Sequence, residues 1–206
     1  MEKRTPRGRL ARPAVAVGGA LAVGAVTATG PGRGLDRRLY RTINRAGGSI
    51  PDAFFTSITE FGSIWASAGA ALVLARRGWR RTASDAMGSA LTMWAAGQLL
   101  KKIYRRPRPY RALEDVRLMI REPNGTSWPS SHPAVLLAFL QIAANDLGLS
   151  RPARSALAAL VASVGVSRVY LGVHYPSDVI GGLLLGWGVA EAWSLLPSSS
   201  RAGADG

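Results

Sequence analysis

Arginines in this chain are crowded into short clusters, and the stretches between the clusters carry almost no charge. That segregation constrains the fold more than any other feature. A helix needs about 20 mostly apolar residues to cross the hydrocarbon core of a bilayer. Five segments meet that measure: Phe54–Ala75, Thr82–Leu100, Pro133–Gly148, Ala153–Val173 and Ser177–Leu196. A sixth, Pro13–Thr29, is rich in Gly and Ala and follows Lys3, Arg4, Arg7, Arg9 and Arg12. It has the length of a retained first span or of a signal-peptide core cut after the small residues near Ala28. The expected fold is therefore an all-α, polytopic membrane bundle of about six transmembrane helices, or five if the first is removed. Residues 1–12 form its basic cytoplasmic N-terminus, 13–196 a single membrane-embedded domain, and 197–206 a flexible tail.

Charge and composition narrow the class. Lys and Arg total 26 against 12 Asp and Glu, a formal net charge of +14, yet 48% of residues are hydrophobic. A disordered basic tail lacks that apolar content, and nucleic acid is not an expected partner. Cys is absent, so no disulfide framework exists. Short basic loops mark the cytoplasmic side. The N-terminal run, the Arg76–Arg81 turn and the Arg151/Arg154 turn fall there, which sends Gly30–Ala53, Lys101–His132 and the corner at His174 outside the cytoplasm. Arg37, Arg38, Arg41 and Arg45 break the rule. Their segment, Leu35–Ala46, reads as an interfacial amphipathic helix with Leu35, Leu39, Tyr40 and Ile43 inward.

Three polar clusters then reach the same face of the membrane. The first runs from Lys101 to Arg108-Pro109, the second is Pro129-Ser130-Ser131-His132, and the third extends from Ser167-Arg168 through His174 to Asp178. Lys101, Arg108 and Arg168 are fixed cations suited to phosphate oxygens. Ser130 and Ser131 stand where a helix starts, with hydroxyls and backbone N–H groups to offer an anion. Two histidines can share displacement at phosphorus, one attacking and one protonating the departing oxygen. Asp178 lies four residues beyond His174, so one helical turn returns its carboxylate towards the imidazole, where it would fix the tautomer.

These segments resemble the signature of the type 2 phosphatidic acid phosphatase family, which also includes bacterial non-specific acid phosphatases and vanadium haloperoxidases. Its first motif is Lys, six residues, then Arg-Pro; its second is Pro-Ser-Gly-His; its third is Ser-Arg, five residues, His, three residues, Asp. Only Ser131, in the glycine's place, departs from it. The resemblance implies His174 as the nucleophile that forms a phosphohistidine, His132 as the general acid and Asp178 as the support of His174. It implies Lys101, Arg108, Ser130, Ser131 and Arg168 as holders of the phosphoryl oxygens, with no cofactor. Metal ligation is not expected either, since two histidines and one carboxylate make a poor ligand set.

The expected activity is hydrolysis of a phosphomonoester or diphosphate on a lipid at the outer face of the cytoplasmic membrane. Polyprenyl phosphates or diphosphates, phosphatidic acid and phosphatidylglycerol phosphate all qualify as substrate, with membrane lipids as the other partners. The rival is a phosphate or headgroup binder or transporter that does no chemistry. A haloperoxidase is disfavoured because the family's haloperoxidases are larger and soluble. Among the remaining polar residues, Lys102, Arg105 and Arg106 read as interfacial anchors, the six tryptophans as interface belt and packing, and Asp85 and Glu191 as solvated near helix ends. Glu60 is the acid placed to pair with an arginine of a neighbouring helix.

Overall fold

The computed structural model describes residues 6–196, with side-chain surroundings from residue 10 onward, so the first basic residues and the 197–206 tail lie outside the described residues. Among those described there is no strand. The chain runs through α1 (Pro6–Ala28), α2 (Gly30–Arg45), α3 (Ser49–Ile58), a 3-10 turn (Thr59–Gly62) and α4 (Ile64–Arg76). It continues as α5 (Arg80–Tyr104), the one-turn α6 (Pro109–Ala112), α7 (Ser131–Asp146), α8 (Arg151–Tyr170) and α9 (Pro176–Trp193). The all-α class is as the sequence implies.

Helix α7 sits at the centre, packed against α5, α8 and α9, while α1 lies along α9. Its buried face is Ala134, Val135, Ala138, Phe139 and Ile142, met by Ala86, Ala90 and Met93 of α5 and by Leu185 of α9. Lipid tails are as apolar as leucine, so helices in a membrane gain little by hiding leucine and associate where small residues allow close backbone approach. Helix α9 follows this rule along Gly182-Leu-Leu-Leu-Gly186. A Cβ at Gly182 or Gly186 would overlap the backbone carbonyl of Ser130 or of Ala134. On another face of α9, Gly188 receives Ala16 of α1, with a Cβ there 3.1 Å from that of Ala16. Helix α1 is thus built into the bundle through Ala16 and Ala20, both buried. Large apolar side chains such as Leu72, Val73, Leu91, Val166 and Ile180 remain exposed, as lipid-facing surfaces require.

By length and composition alone, α1 qualifies as a span, with mean hydropathy 1.5 over Leu10–Ala28, and so does the bent pair formed by α3 with its 3-10 turn and α4. Helix α7, at 16 residues, is about 24 Å long. The segment read as one span, Phe54–Ala75, is in fact broken, with a 64° bend between Gly62 and Ile64. Ser63 caps the new helix, its hydroxyl accepting from the Ala66 N–H at 3.0 Å. Gly62 permits the break: a Cβ there would lie 2.7 Å from Cβ of His132.

Helix α2 also corrects the sequence reading. Its inner face is Asp36, Tyr40 and Asn44, with Ile43 beside them, whereas Leu35 and Leu39 are 60% and 47% exposed. Asp36 and Asn44 hold the inner face because each finds buried partners, while Tyr40 packs its ring there against Tyr175. Asn44 Nδ2 donates to the carbonyls of Arg117 and Tyr170, and its Oδ1 accepts from the Arg117 N–H. Leucines lose nothing by facing outward where the surroundings are apolar. Glu191 differs from expectation as well, since Gln141 and Trp187 donate to its carboxylate and Arg12 lies 3.5 Å away.

Close packing at α9 yields a direct test. Gly186→Ala is expected to cost about 1–3 kcal/mol, the usual range for a forced methyl, and to lower the melting temperature in detergent. Gly69→Ala, which meets nothing within 4 Å, is expected to leave it unchanged or raise it. Equal behaviour of the two variants in a thermal melt would contradict the packing described.

Candidate active site

Four helix ends meet at one end of the bundle: the C-termini of α5 and α8 and the N-termini of α7 and α9. The Arg76–Arg81 and Leu147–Ser150 turns therefore lie at the opposite end. Where the four ends converge, a cavity of about 280 Å³ is lined by Lys101, Arg108, Ser131, His132, Arg168 and His174. Six of the eight residues proposed from sequence share this one space. The other two stand behind it. Ser130 is fully buried, its N–H donating to the Asp178 carbonyl at 2.9 Å, and Asp178 lies beneath His174.

The cations are buried and turned inward. Lys101 Nζ donates to the Pro129 carbonyl at 2.6 Å and to Thr126 at 3.3 Å. Arg108 donates to the carbonyls of Val173, Asn124 and Gly125. Arg168 Nη1 donates to Thr59 Oγ1 at 2.6 Å, and its Nε is buried without a partner. These contacts satisfy part of the cations' hydrogen-bonding capacity and neutralise no charge, and no carboxylate lines the cavity. Buried positive charge without a counter-ion is a standing attraction for an anion. Glu60 stands near enough for its charge to act on Arg168, yet its side chain is exposed and no ion pair joins the two.

His174 occupies the corner between α8 and α9. Arg108 Nη1 lies 3.2 Å from its Nε2. A guanidinium only donates, so a hydrogen bond here engages the Nε2 lone pair and puts the ring proton on Nδ1, which is buried without a hydrogen-bond partner. Nδ1 in turn faces Asp178 Oδ2 at 3.5 Å, longer than a hydrogen bond but close enough to orient the ring electrostatically. This is the tautomer that a nucleophilic Nε2 requires. Burial holds the His174 pKa well below the ordinary 6.5, and the charges of Arg108, Lys101 and Arg168 add to the effect.

Asp178 is restrained from every side. Its carboxylate accepts from the Tyr175 N–H at 2.8 Å, from the Ser127 hydroxyl and from Arg106 Nη1 at 2.8 Å. Arg106 also pairs with Asp36 of α2 at 2.6 Å, and Asp36 accepts from both the N–H and the hydroxyl of Ser177. Arg106 is therefore an internal ion-pair residue and not the interfacial anchor that the sequence suggests. Asp36, Thr59 and Gly62 are further contributors that sequence reasoning missed. A lone acid in a basic amphipathic segment and a Gly-Ser pair inside an apolar run were the available signals. Trp128 is packing, fully buried and stacked on Tyr104 with ring centroids 4.0 Å apart. Ser131 causes no strain: Arg105 is the sole non-glycine residue with positive φ among those described.

The described residues thus form a helical bundle with exposed apolar sides and, at one end, a cationic cavity edged by two histidines. The chain belongs to the PAP2 superfamily, which residues 83–201 match, a stretch that contains all three polar clusters. It is 32% identical over 123 residues to decaprenylphosphoryl-5-phosphoribose phosphatase of Mycolicibacterium smegmatis, covering 60% of this chain and 64% of that protein. It is 27% identical over 157 residues to undecaprenyl-diphosphatase of Sulfolobus acidocaldarius, covering 74% of each. The match to the mycobacterial protein thus spans less than two thirds of that relative's length. The fold is shared with the transmembrane PAP2-type phosphatidylglycerolphosphate phosphatase of Bacillus subtilis. The TM-score there is 0.72 at 22% identity, over 89% of this chain and 94% of that one. Aquifex aeolicus LpxE gives the same TM-score at 25% identity, over 79% and 96%.

Because the folded-state pKa of His174 is lowered, the ring stays neutral at pH 6.5 and for some distance below it. An unfolded chain binds more protons in that window, so stability falls as the pH drops through it towards the lowered folded-state pKa. Its imidazole titration, followed by nitrogen NMR in detergent, is expected to have a midpoint below 6.5. A midpoint at or above 6.5 would contradict the described surroundings.

Proposed function

We propose that the protein is a membrane lipid phosphatase that cleaves a phosphomonoester or diphosphate by way of a phosphohistidine on His174. The observation that carries this reading is the position of His174, buried at the edge of a cavity walled by uncompensated cations, with Nε2 3.2 Å from Arg108 and Asp178 behind Nδ1. A binder needs the cations alone; a nucleophile needs the tautomer as well.

In this reading each step has a group to carry it. A phosphoryl group bridging Lys101, Arg108 and Arg168 places its phosphorus beside His174 Nε2, with the N–H groups at the start of α7 adding donors. Burial and the neighbouring cations hold the His132 pKa well below 6.5 in the free protein, so it serves as acid once the negative charge of the bound phosphoryl group offsets those cations and the ring has taken up a proton. Attack by Nε2 then forms the N–P bond and breaks the bond to the leaving oxygen, which takes that proton from the His132 imidazolium. Positive charge then develops on the ring of His174, and Asp178, held by Arg106, Ser127 and the Tyr175 N–H, stabilises it. Water next attacks the phosphohistidine with His132 as base, which breaks the N–P bond, releases phosphate, returns His174 to its neutral form and leaves the proton on His132. No metal enters the scheme.

The walls of the cavity favour a lipid substrate. Beside the polar lining stand Ile64, Trp65, Trp94 and Val135, on α4, α5 and α7. Trp65 is 81% exposed and Trp94 43% exposed, so the apolar wall continues to the outside of the bundle. A headgroup can sit among the cations while its tail leaves sideways between α4 and α5. Decaprenyl and undecaprenyl chains in the relatives' names, and the phosphatidylglycerolphosphate of the Bacillus protein, agree with a long-tailed substrate class. With short basic turns on the cytoplasmic side, the site faces outward from a multi-pass protein in the cytoplasmic membrane.

Phosphate release by the purified protein with EDTA present, across phosphorylated lipids and soluble phosphoesters, tests the reading. The parent is expected to turn over at least one lipid class, and His174→Ala to lose at least about a thousandfold in kcat while still binding phosphate. A folded parent that releases nothing would leave the binding role in its place. Trp94→Ala is expected to raise KM for the lipid severalfold with little change for a soluble phosphoester. Parallel changes for both substrates would rule out the tail path.

A further inference from the structure

A second cationic cavity of about 260 Å³ lies on the same side of the bundle as His174, between the C-terminal end of α1, the start of α2 and the segment that follows α5. It shares no lining residue with the first cavity. Four arginines line it, Arg33, Arg37, Arg105 and Arg106, together with the rings of Tyr104 and Tyr175, and no carboxylate does. Only Arg106 is balanced, by Asp36 and Asp178 behind the wall. Among the described residues Arg33, Arg37 and Arg105 have no carboxylate partner. Arg33 donates to the Ala28 carbonyl and Arg105 to the Lys102 carbonyl, contacts that leave their charges in place.

Arg33 and Arg105 are exposed, as interfacial anchors are, but simple anchoring does not account for Arg37. An anchoring arginine extends its guanidinium into the headgroup layer, where water satisfies it. Arg37 instead has its Nε buried and without a hydrogen-bond partner. It is also one of the arginines that the positive-inside rule leaves unexplained. Its charge acts on Tyr175, the residue next to His174, so the cavity lies directly behind the reaction centre. Arg106 lines the second cavity and reaches back towards His174, with its guanidinium 4.2 Å above the Tyr175 ring and one Nη on Asp178.

We infer that this cavity is a second oxyanion site, bound by Arg33, Arg37 and Arg105, for a phosphate group that is not the one being cleaved. Three unneutralised guanidiniums, each able to engage two oxygens, match a tetrahedral phosphate better than a carboxylate. At headgroup depth the phosphate comes from one of two sources: the diester of a resident anionic lipid, or free inorganic phosphate.

The test uses the full detergent-solubilised chain and two probes. Equilibrium dialysis with radiolabelled inorganic phosphate counts sites in the parent, in Arg108→Gln and in the double variant Arg33→Gln/Arg37→Gln. Native mass spectrometry after reconstitution in phosphatidylcholine, with or without phosphatidylglycerol, counts retained anionic lipid. If free phosphate is the ligand, the parent binds two, and each variant loses a different one, with affinity at the lost site weakened at least about tenfold. If a headgroup is the ligand, the parent retains one more phosphatidylglycerol than the double variant does. A double variant that matches the parent in both arms overturns the inference. Arg105→Asn, which tolerates the positive φ of 46° at that position, repeats the comparison should the double variant fail to fold. Hydrolysis of a soluble phosphoester is followed alongside and reports on the His174 site separately, so loss of one reading leaves the other standing.

Discussion

Lys101, Arg108 and Arg168 are held at one end of a helix bundle with no carboxylate facing them across the cavity. Nearly every feature around the site answers that electrostatic problem. The cations repel one another and have given up water, so their hydrogen bonds run to backbone carbonyls and to Thr59, groups that satisfy donors without cancelling charge. A carboxylate inside the cavity would have stabilised the free protein and spoiled it as an anion site. The acids are set behind the wall instead. Asp178 and Asp36 bracket Arg106, and this buried triad stiffens the floor under His174 while the cavity stays positive. A buried pair contributes little net stability but is costly to break, so its main effect is to fix geometry.

Such a floor needs helix ends brought very close together, and glycine makes that approach possible. Gly182 and Gly186 let α9 lie against the backbone at the start of α7, which carries Ser131 and His132. Gly62 lets the chain break before α4 and pass beside His132, which places Thr59 within reach of Arg168. The bend in the first long apolar segment is therefore part of the site's construction. It also turns α4 so that Trp65 flanks the cavity, and with it the apolar wall that suits a lipid tail.

How much of this was legible in the sequence depends on the kind of information each feature carries. Spacing along the chain fixed the motifs: Lys101 to Arg108, Ser130 to His132, and Arg168 through His174 to Asp178 are local patterns whose chemistry shows in their residue types. Hydrophobic runs set by bilayer thickness likewise marked α5, α7, α8 and α9 to within a few residues, but ran α3 and α4 together and missed the first two turns of α1. The inward face of α2 was misread because periodicity assigns leucine to the interior, a rule that weakens where the outside is apolar too. Arg106 was misread because its partners, Asp36 and Asp178, lie 70 and 72 positions away in the chain, and no local pattern reveals them.

The sequence by itself determined the class of fold, the polar residues that gather at one end of it and the family to which the chain belongs, since each rests on composition or on short-range spacing. Only the tertiary structure decided which nitrogen of His174 is free, what holds Asp178, where the span before α4 breaks and that four arginines enclose a second cavity. Those are properties of groups brought together from distant parts of the chain. Their energies depend on distance and burial, which exist only once the helices have packed.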